Sequence, residues 1–168
     1  TFNLPEGNVA LTFDDGPSKY SKQIADILKE YQVGGTFFYV GQNVKKHPDV
    51  VQYIHSNGYS IGSHSMQHVN FKRLSYKEQQ RDLLKTKELI EGITSEPSVL
   101  FRPPYGAYDK KTTALMKNYN HKMVLWDIDP EDWKGHSSNK IFHHVRNSDP
   151  SGSIILLHES QEVVEDRK

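Results

Sequence analysis

Short apolar runs alternate with longer amphipathic segments along most of the chain. The short runs, rich in branched and aromatic residues, predict β-strands at 8–13, 36–40, 59–61, 99–101, 122–126 and 153–157. Apolar residues at helical spacing predict α-helices at 21–31, 49–57, 75–92, 109–119 and 138–146. This alternation is typical of an α/β fold whose helices pack outside parallel strands, in either a closed barrel or an open doubly wound sheet.

Polar residues cluster where the predicted strands end. The clusters are Asp14-Asp15, 63–68, 102–106, 127–133 and His158, which follow the first, third, fourth, fifth and sixth strands. In both candidate folds the carboxyl ends of the strands meet at one rim, where ligands and chemistry are found. We therefore expect a single site at that rim.

Composition narrows the range of partners. The chain has 168 residues, enough for one domain with a sizeable core, and 35% hydrophobic with 11% aromatic residues is a globular balance. Its 21 basic and 21 acidic residues cancel, so nothing predicts a nucleic acid as partner. The lack of cysteine excludes disulfides and a thiol nucleophile. No apolar run approaches the ~20 residues of a membrane span, so no stable membrane insertion is expected.

Two histidines and two carboxylates predict a metal site. His64 and His68 are four residues apart, a spacing that on one helical turn would place both imidazoles on one face. With a carboxylate from Asp14 or Asp15 they would leave positions open for water and substrate, as catalytic metal sites do. The alternative is a solvated histidine pair and a surface turn. The shared rim favours the metal.

Five ordered motifs resemble those of the polysaccharide deacetylases of carbohydrate esterase family four, the NodB homology domain. They are 12–17, 64–68, 102–105, 129–133 and 156–158, and the resemblance covers about residues 8 to 160. It implies an irregular, incomplete barrel of parallel strands with outer helices. It also implies one divalent metal ion and hydrolysis of acetyl groups on a sugar polymer.

The resemblance also assigns roles around the metal. Asp15, His64 and His68 would hold the ion, zinc being expected and cobalt or another divalent ion possible. Asp14 would be the base that takes a proton from the attacking water, and Arg102 would keep Asp14 ionised and aimed. The family pattern assigns stabilisation of the tetrahedral intermediate to the backbone N–H of Tyr105.

A second group of residues would serve the leaving amine and the acetyl group. His158 is the expected general acid, with Asp132 raising its pKa. Trp133 and Leu156 would line a pocket for the acetyl methyl. For Leu156, an ordinary core position in a buried strand explains the residue equally well.

Several functions are compatible with these residues. The expected activity is N-deacetylation of an N-acetylglucosamine polymer, such as peptidoglycan or chitin oligomers. An acetylxylan esterase would use the same residues, whereas a phosphoesterase would need a second metal. A non-catalytic carbohydrate-binding module would need neither Asp14 nor His158, so their presence disfavours it.

The surroundings of the domain follow from the same resemblance. An extracellular or wall-associated monomer is expected, with its targeting segment outside this chain because the chain lacks an initiating Met. Family members usually continue through a further helix and strand, whereas this chain ends ten residues after His158. We therefore expect one domain over 1–168 that lacks this last segment or closes differently, with polar residues 161–168 frayed.

Overall fold

Six parallel strands form the centre of the computed structural model, which describes residues 4–159. The strands are β1 Val9–Gly16, β2 Thr36–Tyr39, β3 Ser60–Ser63, β4 Leu100–Phe101, β5 Lys122–Met123 and β6 Ser153–His158. Their order across the sheet is β5-β4-β3-β2-β1-β6. The sheet curls into an open half-barrel with the helices outside, which confirms the predicted incomplete barrel.

Six helices connect the strands. They are α1 Ser21–Glu30, α2 Gly41–Lys46, α3 Pro48–Ser56, α4 Tyr76–Thr94, α5 Lys110–Asn118 and α6 Ser138–Asn147. Short 3₁₀ turns occupy Phe71–Arg73, Pro104–Gly106 and Asp132–Lys134. A capping box begins α4, because the Ser75 hydroxyl accepts from the backbone N–H of Glu78 and the Glu78 carboxylate accepts from that of Ser75.

The two edges of the half-barrel are linked at one point. Beyond β5, Ile128 forms a parallel bridge with Ile155 on the edge of β6 that β1 leaves open. The Leu156 backbone N–H donates to the Ile128 carbonyl at 2.9 Å, and the Asp127 carboxylate accepts from the Ile154 N–H at 2.8 Å. The segment after β5 therefore covers the edge of β6 next to the rim.

Alternate residues of β2 serve two different cores. Phe37 and Tyr39 pack beneath the helices, whereas Phe38 points into the half-barrel with Val124 and Ile154. Fully burying one such aromatic side chain contributes roughly 2–3 kcal/mol. Gly62 of β3 makes room for Phe38, since a Cβ on Gly62 would lie 2.7 Å from its ring. A third cluster lies under α4 and α5 and contains Phe71, Leu83, Phe101, Leu115 and Met116.

Local differences from the predicted elements have physical causes. Helix α2 was missed because its six residues are too few to show a helical period. Strand β5 ends at Met123 instead of 126, and the carbonyls of Val124 and Leu125 accept hydrogen bonds from Arg102. In the described part of the chain no helix is both long and apolar enough to span a bilayer. The expectation for 161–168 lies outside the described residues.

Candidate active site

Three buried side chains converge at the carboxyl ends of β1 and β3. The Asp15 Oδ1 atom lies 3.3 Å from the Nε2 atom of His64 and 3.2 Å from that of His68. The candidate ligand atoms of these three residues all lie within 4.8 Å of one another. A carboxylate and two imidazoles, held together out of water, are a donor set that suits a divalent metal ion.

The hydrogen bonds of this cluster orient the His64 ring and keep Asp15 ionised, and both effects favour a bound cation. The Nδ1 atom of His64 lies 2.6 Å from the Arg102 carbonyl, and a carbonyl only accepts, so Nδ1 carries a proton and Nε2 is the nitrogen that faces Asp15 and could bind an ion. Burial alone would raise the pKa of Asp15, but the hydrogen bonds and charges of His64 and His68 hold it well below its usual value. Asp15 is therefore ionised, as a ligand must be.

The two histidines do not share a helical turn, contrary to the expectation from their spacing. Residues 64–68 form a loop in which Ser65 and His68 have φ values of 68° and 56°. A right-handed helix requires negative φ throughout, so this segment cannot be helical. The loop nevertheless brings the two ring centroids within 5.0 Å of each other.

Asp14 occupies a different position from Asp15. Its Oδ1 atom accepts from Arg102 Nη1 at 2.8 Å, and its Oδ2 atom lies 3.6 Å from His64 Nε2. The sequence left open which carboxylate would complete the metal cluster, and the distances assign Asp15 to it. Asp14 lies beside the cluster, held by a guanidinium.

Arg102 is fully buried inside the half-barrel, so it is no surface salt bridge. Its Nε and Nη2 atoms donate to the carbonyls of Val124 and Leu125, and Nη1 donates to the Thr12 hydroxyl as well as to Asp14. Its guanidinium carbon lies 4.3 Å from the centre of the Phe38 ring. These contacts hold the Arg102 guanidinium, and with it a positive charge, against Asp14.

Asp132 and His158 form a separate pair at the end of β6. One Asp132 oxygen lies 2.7 Å from His158 Nδ1, and the other accepts from the His158 backbone N–H at 2.6 Å. Burial lowers the pKa of His158, but the hydrogen bond and charge of Asp132, with the charges of Asp15 and Asp14, raise it above its usual value. Because Asp132 binds Nδ1, a transferable proton would be on Nε2.

The remaining predicted residues have unequal surroundings. The Tyr105 ring meets the His68 ring edge-on, with centroids 4.8 Å apart, and Tyr105 has a φ of 62°. Leu156 is buried on the same face of β6 as His158, because strand residues two apart share a face. Trp133 follows Asp132 and is 40% exposed. The structure thus places all three near the rim without assigning their roles.

Several contacts of the site were not anticipated. Thr12 donates to the Ile155 carbonyl and accepts from Arg102, and its place two residues before Asp14 on one strand face could have indicated this. The Asn43 side chain donates to the Asp15 carbonyl at 3.0 Å, and Asp82 accepts from Ser65 and Met66. Asn43 and Asp82 belong to helices distant in sequence, so no local pattern could have identified them.

Curated relatives cover most of this chain. A peptidoglycan-N-acetylglucosamine deacetylase of Bacillus cereus is 35% identical over 154 residues, which are 91% of this chain and 56% of that protein. The peptidoglycan-N-acetylmuramic acid deacetylase PdaC of Bacillus subtilis is 38% identical, over 90% of this chain and 32% of that protein. The chain thus spans about half or less of these relatives' length. A chitooligosaccharide deacetylase of Rhizobium leguminosarum is 33% identical over 90% of this chain and 71% of its own.

Solved structures and a family model agree with these relatives. A crystal structure of a peptidoglycan N-acetylglucosamine deacetylase has a TM-score of 0.90 and 34% identity, covering 95% of this chain and 76% of its own. A family 4 carbohydrate esterase pseudoenzyme from Bacillus anthracis has a TM-score of 0.88 and 28% identity, covering 95% and 57%. The polysaccharide deacetylase model matches residues 2–124. The chain therefore belongs to the polysaccharide deacetylases, the carbohydrate esterase family 4 with the NodB domain.

Proposed function

We propose that this protein hydrolyses acetyl groups from N-acetylglucosamine residues of a polysaccharide, peptidoglycan or chitin-type oligomers, with a divalent metal ion. The observation that carries this proposal is the buried Asp15–His64–His68 cluster directly beside an Arg102-bound Asp14. The named activities of the relatives support the substrate class. Zinc suits two imidazoles and a carboxylate, although cobalt would fit the same donors.

The groups in and around the cluster would each have a separate role in activating the attacking water. An ion held there would supply Lewis acidity, which lowers the pKa of water and polarises a carbonyl. Asp14 would accept the water's proton, and Arg102 would hold that carboxylate in place beside the cluster. The N–H of Tyr105 would donate to the oxygen that becomes negative during the attack.

The Asp132–His158 pair would complete the reaction. An amine is a poor leaving group until it is protonated, and the raised pKa of His158 favours the protonated imidazole that would supply this proton. Asp132 would orient the ring through Nδ1, so that Nε2 donates to the amine. Leu156, on the same interior face as His158, and the neighbouring Trp133 would enclose the acetyl methyl.

A non-catalytic role is the second candidate, because a pseudoenzyme shares this fold. The intact set of Asp14, His158 and the metal cluster argues against it here, since carbohydrate binding alone requires none of the three. An esterase acting on acetylxylan remains a further alternative with the same machinery. The relatives' names point to a wall polymer, so we propose an extracellular or wall-associated protein.

Acetate release from three substrates tests this function. Wild type, Asp14→Asn and His158→Ala would be assayed on N-acetylated chitooligosaccharides, peptidoglycan and acetylated xylan. We expect acetate from an amide substrate, loss of activity in Asp14→Asn, and strong dependence on His158 because the amine must be protonated. An ester has a better leaving group, so release from xylan that tolerates His158→Ala would indicate the esterase. No acetate from any substrate by metal-loaded wild type would favour the non-catalytic role.

A further inference from the structure

The loop 64–68 is held between two helices. On one side, the backbone N–H groups of Gly41 and Gln42 at the start of α2 donate to the carbonyls of Ser65 and Met66 at 2.9 and 2.8 Å. Gly41 lets this loop approach closely, since a Cβ there would lie 2.3 Å from the Met66 sulfur. On the other side, α4 presents one carboxylate, that of Asp82.

Asp82 holds the middle of the loop with both of its oxygens. Oδ2 accepts from the Ser65 hydroxyl at 3.0 Å, and both oxygens lie 3.2 Å from the Met66 backbone N–H. The Ser65 hydroxyl oxygen also accepts from the Val69 N–H at 3.3 Å, which extends the connection beyond His68. Asp82 is thus connected to both sides of the segment that carries the two imidazoles.

The conformation of this loop needs such support. Ser65 and His68 both have positive φ, a region that residues with a Cβ adopt only when their surroundings impose it. Ser65 is fully buried and lies directly after His64. If its backbone relaxed to negative φ, the chain direction between the histidines would change and their Nε2 atoms would no longer converge on Asp15.

The surroundings of Asp82 fit a dedicated role. Among the ion pairs found within residues 4–159, none joins Asp82 to a lysine or arginine. Burial raises its pKa, against the hydrogen bonds from Met66 and Ser65. No lysine or arginine of the described residues competes for this carboxylate, so its side-chain partners are the two loop donors, the Ser65 hydroxyl and the Met66 N–H.

We propose that Asp82 is a positioning residue that sets the separation of the His64 and His68 imidazoles for metal binding. This inference rests on the metal cluster of the proposed function. It predicts that changes at Asp82 alter metal affinity, although Asp82 touches neither the metal nor the substrate. Outer partners that orient metal ligands typically change metal affinity 10- to 100-fold.

Cobalt titration of the metal-free protein tests the proposal. Co²⁺ binding would be followed by its visible absorption in wild type, Asp82→Ala and Asp82→Asn. We expect Asp82→Ala to bind Co²⁺ about 10- to 100-fold more weakly with an altered spectrum. Asp82→Asn keeps one acceptor oxygen, so it should lie between Asp82→Ala and wild type. Excess Co²⁺ should restore acetate release by Asp82→Ala if its defect is in binding.

Leu83→Ala is the matched control. Leu83 is the next residue of α4 and fully buried in the core cluster that Val69 flanks, and its apolar side chain makes none of the hydrogen bonds to the loop, so its truncation destabilises the protein while leaving those hydrogen bonds in place. Its cobalt affinity should equal that of wild type. If Asp82→Ala does not fold, Asp82→Asn and Ser65→Ala give the same test, because Ser65→Ala removes one donor to the carboxylate.

Three results would overturn the proposal. They are wild-type cobalt affinity in folded Asp82→Ala, equal weakening of cobalt binding in Leu83→Ala, and a wild-type protein that binds no Co²⁺. Failure of the proposed function is distinguishable, because it would appear as tight Co²⁺ binding by wild type with no acetate released from any substrate.

Discussion

The proposed metal side and the proposed acid side of the site are built differently. On the metal side, Asp14, Asp15, His64 and His68 are between 1% and 6% exposed and are fixed by Arg102 and backbone groups. On the acid side, the Asp132 and His158 side chains are each 13% exposed, and the adjacent Trp133 is 40% exposed. The metal side is thus enclosed by the fold, whereas the acid side depends on one pair at the edge of solvent.

This difference predicts how substitutions on the two sides will affect the protein. The metal-side residues are connected to strands, to α2 and to α4, so a change there disturbs several elements together. The acid side is attached mainly through Asp132, in a short 3₁₀ turn, to the end of β6. We therefore expect metal-side substitutions to act through metal binding and acid-side substitutions to act on rate, pH dependence and substrate affinity.

The largest expected effect is that of His68→Ala. Removing one of three ligands should weaken metal binding by more than the roughly 100-fold upper range for an outer partner, and activity should fall to background. Metal content after dialysis and acetate release measure both. His143→Ala, at an exposed position of α6, is the control. If folded His68→Ala retained one equivalent of metal, His68 would not be a ligand of the ion.

Asp132→Asn tests the acid side. The amide cannot supply the charge that raises the His158 pKa, so the alkaline limb of the rate profile should move to lower pH. A supported general acid contributes about 10²- to 10⁴-fold, so the rate should drop by about 100-fold or more. Metal content should be unchanged, as should the profile of Glu131→Gln from the segment just before Asp132. An alkaline limb that stays where it is in wild type would make another group the acid.

Glu159 links the two sides, because it follows His158 and its backbone N–H donates to the Asp14 carbonyl. Burial, against hydrogen bonds from Ser21 and Ser18, raises its pKa to about 7. Folding favours the protonated form of Glu159. Its contribution to the free energy of unfolding is therefore fully present below about pH 4.5 and is lost as the pH rises through about 7. The loss is on the order of 3 kcal/mol.

Glu159→Gln should abolish that part of the pH dependence, because the amide does not ionise. Urea unfolding of the metal-free proteins at pH 4.5, 6 and 8 gives the free energy of unfolding of wild type and variant. In the difference between the two values, the contributions of the other titrating groups cancel. A difference that is constant across pH would mean that the pKa of Glu159 is the same in the folded and the unfolded protein. The buried setting of the metal side would then be less apolar than its contacts imply.

Trp133→Ala should have the smallest effect. A side chain this exposed contributes little to folding, so stability should change by less than about 1 kcal/mol. If Trp133 encloses the acetyl group, KM should rise several-fold with a smaller change in kcat. Phe142→Ala, which truncates an exposed aromatic of α6, should leave both constants unchanged. An unchanged KM for Trp133→Ala on the active substrate would remove Trp133 from the pocket.

The sequence predicted the strands and the rim residues because both depend on local patterns. Alternating apolar runs and longer helical periods identified the strands whose ends carry the polar clusters, and Ser75 with Glu78 three residues later is a capping-box pattern visible in the sequence. In contrast, α2 and the loop at 64–68 were not predictable. Helix α2 has too few residues to show a helical period. The loop depends on contacts such as Asp82 with Ser65, 17 residues apart, which leave no periodic signal.

The bridge between Ile128 and Ile155 has a consequence for association of the protein with itself. An uncovered strand edge presents backbone groups that can pair with a strand of another chain and start aggregation. The segment at 127–128 occupies part of that edge on β6, and the opposite edge of the sheet is β5, only two residues long. Between them, these features leave little backbone on which a second molecule could extend the sheet.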